Sequence, residues 1–241
     1  MQDFPAVFAH RGASAYAPEN TLVSFEEAKK RGASWIEYDI QLCRSGDLVV
    51  IHDETLDRTT TGKGAVAEFA AEELARWDAG SWFDPRFAHA RIPTLKETLQ
   101  LMERLQLGAN IEAKPLPGQE KQTAHCLYEL LKQACPSNIP LPVISSFSLE
   151  FLRCWAELKT PYPLGVLFDK LPEDAVDIAK GLSAWSIHLN QEHIAHAQLI
   201  EHLRRKGFLV AAYTVNDPQR GKELWSWGVN GIFTDCPGAP F

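Results

Sequence analysis

The chain carries no surplus of positive charge: 24 lysines and arginines stand against 31 aspartates and glutamates, a net charge of −7. Without a basic excess there is no electrostatic footprint for nucleic acid, so no nucleic-acid partner is expected, and an anionic ligand would have to be held by a few placed cations or a metal ion. Nowhere do the roughly 20 apolar residues of a membrane span run together, so stable membrane insertion is not expected either. The amino-terminal MQDFPAVFAH has Asp3 and Pro5 where a secretory signal needs a basic start and a long apolar core. Cysteine is sparse and unpatterned. Its five copies (Cys43, Cys126, Cys135, Cys154 and Cys236) are odd in number and include no C-x-x-C pair, which argues against a disulfide framework and for reduced thiols in a cytoplasmic protein. Also missing are a Gly-rich dinucleotide turn after the first apolar run and a phosphate loop, since Gly62-Lys63 is followed by Gly64 and not by Ser or Thr. No internal repeat is present.

What remains is an ordinary globular composition, 45% hydrophobic and 23% charged over 241 residues, a length that one α/β barrel fills. Short β-branched runs predict strands at 6–10, 35–41, 48–53, 109–114, 143–147, 164–169, 185–190, 209–215 and 231–235. Helical periodicity separates most of them. Asn20 is expected to cap one helix and Gly32 to stop it, Leu127, Leu130, Leu131 and Ala134 line a face of another, and Leu199, Ile200 and Leu203 of a third. Alternating strands and helices imply a parallel sheet. Only LCRSGD separates 35–41 from 48–53, too little for a parallel crossover, so that pair is expected to form a hairpin turning at Ser45-Gly46-Asp47. Setting the hairpin arm aside leaves the strand count of a (β/α)8 TIM barrel. A doubly wound open sheet is the alternative. From about residue 54 to 93 the rhythm breaks into polar turns and mixed aromatics, read as an insertion on a single barrel domain spanning 1–241.

Barrel enzymes carry their active groups at the C-terminal ends of the strands. Collected there are His10, Arg11, Glu37, Asp39, His52, Asp53, Glu112, Lys114, Ser146, Asn190, Tyr213, Asn216 and Asp235. Strand alternation puts Glu37 and Asp39 on one side, and Glu112 with Lys114 likewise. Three converging carboxylates, Glu37, Asp39 and Glu112, offer oxygen ligands to a hard divalent cation such as Mg²⁺ or Ca²⁺; the alternative is an ion-pair network with Arg11 and Lys114. His10 and His52 leave different strands beside this cluster, a pair suited to share general acid and general base duty. Arg11 and Lys114 offer donors matched to phosphate oxygens. His188 is read as a structural histidine, and His193, His196 and His202 as solvated.

These stretches occur in an order that resembles the glycerophosphodiester phosphodiesterase family, and its small cytosolic bacterial branch most closely: AHRGASAYAPENT, IEYDIQL, VVIHDETLDRTTTGKG, NIEAK, SSF, YTVN and GVNGIFTD, joined by DAGSWF and SIHLN. The resemblance implies a barrel with an extra segment after its second strand, and hydrolysis of deacylated phospholipids to glycerol 3-phosphate and an alcohol. It implies that His10 and His52 are the acid–base pair, that Glu37, Asp39 and Glu112 hold the metal, and that Arg11 and Lys114 contact phosphate. Phe147 falls where an aromatic side chain flanks the glycerol. Tyr213 stands at a substrate-binding position where many members have tryptophan, and Asn230 where aspartate is common. Two other readings remain: a phospholipase-type barrel acting on intact lipid, and a binding module without catalysis.

Overall fold

In a computed structural model, residues 4–241 are described. Nine strands form one sheet: β1 (Val7–Ala9), β2 (Trp35–Leu42), β3 (Leu48–Val50), β4 (Gly108–Ala113), β5 (Val143–Ser146), β6 (Leu164–Phe168), β7 (Ser186–Asn190), β8 (Leu209–Tyr213) and β9 (Gly231–Thr234). Their order is β1-β9-β8-β7-β6-β5-β4-β2-β3, and β1 also pairs with β2, so the sheet closes. All pairings are parallel except β2 with β3. The molecule is therefore a (β/α)8 barrel with one hairpin arm, and the open-sheet alternative falls. The hairpin turns as expected, with Gly46 at a φ of 85° donating to the Cys43 carbonyl.

Helices cover the outside: α1 (Leu22–Lys30), then, past the short α2 (Ala71–Leu74), α3 (Leu95–Leu105), α4 (Glu120–Ala134), α5 (Leu149–Glu157), α6 (Ala175–Gly181), α7 (Ala197–Arg205) and α8 (Pro218–Ser226). Along β2 the alternation of side chains sorts two environments. Ile36, Tyr38 and Ile40 are buried outward, in the core that holds Phe25 of α1 and Leu99 and Met102 of α3, while the other face of the strand carries Trp35, Glu37 and Asp39. Trp35 packs with Phe8, Val143, Ala211 and Phe233 in a second core cluster. Close packing there leaves no room for a side chain on Gly108, whose added Cβ would lie 2.5 Å from the Trp35 ring. The apolar floor thus stops where β2 turns acidic.

One expectation is corrected. Asn20 does not cap α1; Thr21 does, its hydroxyl accepting from the Ser24 amide at 3.2 Å while the Ser24 hydroxyl accepts from the Thr21 amide at 3.3 Å. A capping residue needs extended backbone, and Thr21 has it, whereas Asn20 is left-handed with a φ of 56°. Its amide is spent elsewhere, on Asp39. Gly32 follows the helix at a φ of 88°, in the left-handed geometry that ends helices.

Residues 54–93 hold two short 3-10 turns and α2 around a small core of Leu56, Val66, Leu74, Ala79 and Ile92, shared with Val49 and Ile51 of the hairpin. Among the described residues no helix is long and apolar enough to cross a membrane.

Candidate active site

β1 ends at Ala9, and the chain turns at once. Arg11 and Gly12 are both left-handed, at φ of 51° and 83°. Only glycine suits the second position, because a Cβ there would lie 2.3 Å from Ser24 Oγ. This turn aims the Arg11 amide at Glu37 Oε2, 2.9 Å away, and sets its guanidinium against Glu19 at 2.9 Å and Asp39 at 3.5 Å.

β2 and β4 run in register with Asp39 beside Glu112, so the carboxylates of Glu37, Asp39 and Glu112 converge, each offering an oxygen within 4.8 Å of the others. Asp39 is well supplied with partners. Asn20 donates to it at 2.8 Å, and Arg11 and Lys114 lie 3.5 and 3.9 Å away. Glu37 Oε1 is buried with no partner, and Glu112 forms no ion pair among the described residues. The shorter contacts of the two cations go to Glu19 and His52, each at 2.9 Å, and neither cation forms an ion pair with Glu37 or Glu112 among the described residues. The electrostatics follow. Burial, then the charges of Asp39 and Glu112, push the Glu37 carboxyl well above its ordinary range. Burial and the Asp39 charge push Glu112 up to about 8. Asp39, although equally buried, is held low by Arg11, His52, Lys114 and Asn20. Two carboxylates that cannot ionise comfortably on their own, one with an orphaned buried oxygen, fit a divalent cation with oxygen ligands.

Each histidine is backed by a carboxylate. His10 Nδ1 lies 2.7 Å from Asp235 Oδ1, and His10 Nε2 lies 4.0 Å from Glu37. Asp235 also accepts from Ser14 at 2.8 Å and Asn216 at 2.6 Å; against burial, these bonds and that of His10 hold its carboxyl at about 2. His52 Nδ1 lies 2.7 Å from Asp53 Oδ1, and its Nε2 lies 2.9 Å from Lys114 Nζ. Burial lowers the proton affinity of His52; Asp39 opposes this, but Arg11 and Lys114 reinforce it, so the ring sits below its usual value. A neutral His52 accepting from the Lys114 ammonium at Nε2 and donating from Nδ1 to Asp53 satisfies both contacts.

His10, Arg11, Glu37, His52, Glu112, Phe147 and Tyr213 line one cleft of about 400 Å³, which runs on to Leu167 and to the turn after β7 at Gln191 and Glu192. Phe147 is 47% exposed and meets the Tyr213 ring edge-on at 5.8 Å. The Tyr213 hydroxyl donates to the Phe168 carbonyl, so the cleft is offered a ring and not a free hydroxyl. Lys114 and Asp39 complete the cluster beside the cleft, the former also lining a smaller pocket with Glu54, Glu112 and Phe147. His10, Arg11, Glu37, Asp39, His52, Glu112, Lys114, Phe147 and Tyr213 are thus brought together around this cleft, while Asn230 pairs with the Val210 backbone and does not line it. His188 is buried in the barrel with Nε2 on Ser186 Oγ at 2.8 Å; His196 and His202 are exposed, and His193 lies 3.9 Å from Asp169. Ser146 is structural, donating to the Ala113 carbonyl. Several partners have no role legible in the local sequence: Asp235 and Asp53 behind the histidines, Asn20 behind Asp39, and Glu19 and Arg58 behind Arg11 and Asp53. Asp53 comes nearest, as the direct neighbour of His52; Asp235 is 225 residues from His10.

Fold and site together define a parallel (β/α)8 barrel whose rim gathers three carboxylates able to hold a divalent cation, with Arg11 and Lys114 beside them. Comparison with known proteins gives the family. The model of the glycerophosphoryl diester phosphodiesterase family matches residues 10–239. A glycerophosphodiester phosphodiesterase of Caldanaerobacter subterraneus is 37% identical over 96% of this chain and 94% of its own length, and one of Bacillus subtilis is 35% identical over 95% and 83%. A solved Oleispira antarctica phosphodiesterase, in complex with the product sn-glycerol-3-phosphate, is 33% identical over 97% of this chain and 94% of that one, with a TM-score of 0.94. The chain belongs to the glycerophosphoryl diester phosphodiesterase family.

Proposed function

We propose that this protein hydrolyses glycerophosphodiesters, the deacylated remains of phospholipids, to sn-glycerol 3-phosphate and an alcohol, in the cytoplasm and as one barrel domain with residues 54–93 inserted. The observation that carries this reading is the convergence of Glu37, Asp39 and Glu112 within 4.8 Å, flanked by two histidines that each have a carboxylate at 2.7 Å. The family membership and the product bound by the Oleispira relative support the substrate class.

A Mg²⁺ or Ca²⁺ ion held by Glu37, Asp39 and Glu112 would supply Lewis-acid polarisation of the phosphoryl group and offset the crowded carboxylate charge. Arg11 and Lys114 bind the phosphate oxygens and stabilise the charge that develops on them. Phe147 and Tyr213 flank the glycerol and orient it. In the first step one histidine takes a proton from the glycerol hydroxyl next to the phosphorylated carbon, which attacks phosphorus; the other gives a proton to the departing alcohol. Their roles reverse as water opens the cyclic phosphate. Attack from within the substrate gains a large effective concentration over a free water. Asp235 and Asp53 hold the two rings in orientation throughout.

The test is release of glycerol 3-phosphate from glycerophosphocholine by the purified protein with Mg²⁺ or Ca²⁺, alongside phosphatidylcholine vesicles. Turnover of the soluble diester alone is expected. Turnover of the vesicles alone would replace this reading with a lipid-directed one, and binding without turnover would leave a binding module.

A further inference from the structure

Arg58 lies in the polar stretch after β3, outside the lining of the cleft, and holds two carboxylates at once. Its Nη1 and Nη2 reach Glu19 Oε2 and Oε1, both at 2.8 Å. Its Nε and Nη2 reach Asp53 Oδ2 and Oδ1 at 2.6 and 2.9 Å. Glu19 continues to Arg11 Nη1 at 2.9 Å, and Asp53 continues to His52 Nδ1 at 2.7 Å. An unbroken path, Arg11–Glu19–Arg58–Asp53–His52, therefore links the cation assigned to phosphate with an imidazole assigned to proton transfer.

An exposed ion pair ordinarily adds little, and Arg58 is 45% exposed. What distinguishes it is geometry. A planar guanidinium that engages both oxygens of each of two carboxylates leaves neither carboxylate free to rotate. With Asp53 fixed, the Nδ1 proton of His52 has one acceptor, and Nε2 is left facing Lys114 and the cleft. With Glu19 fixed, the Arg11 guanidinium is turned toward the carboxylate cluster. Lysine could not do the same, since one ammonium cannot span two bidentate partners.

We infer that Arg58 is a positioning residue that orients His52 through Asp53 and Arg11 through Glu19, so that the proton-transfer group and the phosphate grip are set together by one side chain of the inserted segment. The inference rests on the phosphodiesterase reading above. The competing role is a plain staple of residues 54–93 to the barrel, which would weaken every activity alike.

Arg58→Gln and Arg58→Lys are made in the wild-type, His52→Ala and Arg11→Ala backgrounds and assayed on glycerophosphocholine with saturating Mg²⁺, with a thermal melt of each. In the wild-type background Arg58→Gln should lower kcat about tenfold or more, the usual scale for losing an orienting partner, and raise KM several-fold, with Arg58→Lys recovering little of either. In His52→Ala the further loss in kcat should fall below about twofold, and in Arg11→Ala the further rise in KM should do the same, as expected when two residues act through one group. Independently of turnover, the side-chain ¹⁵N resonances of His52 should show Nδ1–H alone in the wild type and a tautomer mixture in Arg58→Gln. Equal factors in all three backgrounds, or an unchanged His52 tautomer, would overturn the positioning role and leave the staple. A wild-type protein that releases no glycerol 3-phosphate would instead overturn the phosphodiesterase reading.

Discussion

His10 Nδ1 lies 2.7 Å from Asp235 Oδ1, a contact that joins the ends of the first and last strands of the barrel. Because Asp235 stays ionised to about pH 2, it holds the His10 ring with its Nδ1 proton inward and Nε2 toward Glu37 and the cleft. Asp235→Asn keeps the shape and removes the charge, so kcat should fall roughly ten- to hundredfold while the melting temperature moves little. Steady-state kinetics with a thermal melt checks this; unchanged kcat would remove Asp235 from the site.

Replacing either histidine by alanine should cost roughly 10²–10⁴ in kcat, the usual size of an acid–base contribution. The double variant should lose far less than the product of the two, since the pair serves one reaction. A substrate with an acidic leaving alcohol, such as a nitrophenyl ester, should restore activity selectively to the variant lacking the general acid. Rescue of neither or of both would refute the division of roles.

Removing divalent metal should abolish turnover, because Glu37 and Glu112 then face Asp39 with no cation shared among them. Glu112→Gln keeps one acceptor oxygen and should regain part of its lost activity as Mg²⁺ is raised. Full turnover in excess chelator after metal removal, or no recovery in Glu112→Gln, would contradict the ligand assignment.

How much of this was legible in the sequence depends on how far apart the partners lie. Glu37 and Asp39 could be assigned to one face because a strand alternates, and His52 to the rim because six residues cannot make a parallel crossover. Those inferences need only local geometry. Asp235 behind His10 needs barrel closure, a pairing of β1 with β9 that no local pattern encodes. Asn20 departs from its expected role for a related reason: its spacing suits a helix cap, but its own left-handed backbone turns its amide onto Asp39, and tertiary demand overrides the local signal.

His188 makes its own contribution to the pH dependence of stability. Burial in the barrel lowers it from the usual 6.5 to about 3, with Nδ1 unpartnered. The unfolded chain therefore binds a proton that the folded one refuses between those values, so the contribution of His188 is full above pH 6.5 and is lost as pH drops, by up to about 1.4 kcal/mol per unit. His188→Gln keeps a donor and acceptor for Ser186 and does not titrate. Denaturant melts at pH 7 and pH 5 should show the wild type losing more stability than the variant; parallel losses would contradict the assignment.

If the glycerol hydroxyl is the nucleophile, an analogue lacking the hydroxyl beside the phosphorylated carbon should bind as a competitive inhibitor and resist hydrolysis. Hydrolysis at a rate similar to that of glycerophosphocholine would mean that water attacks phosphorus directly.

The most direct measurement is ³¹P NMR of glycerophosphocholine incubated with the purified protein and Mg²⁺. The diester resonance should give way to that of sn-glycerol 3-phosphate, with free choline in equal amount in the ¹H spectrum, and both should be lost when Glu37, Asp39 or Glu112 is replaced by alanine. Phosphocholine with free glycerol, or an unchanged diester in the presence of metal, would contradict the proposed function.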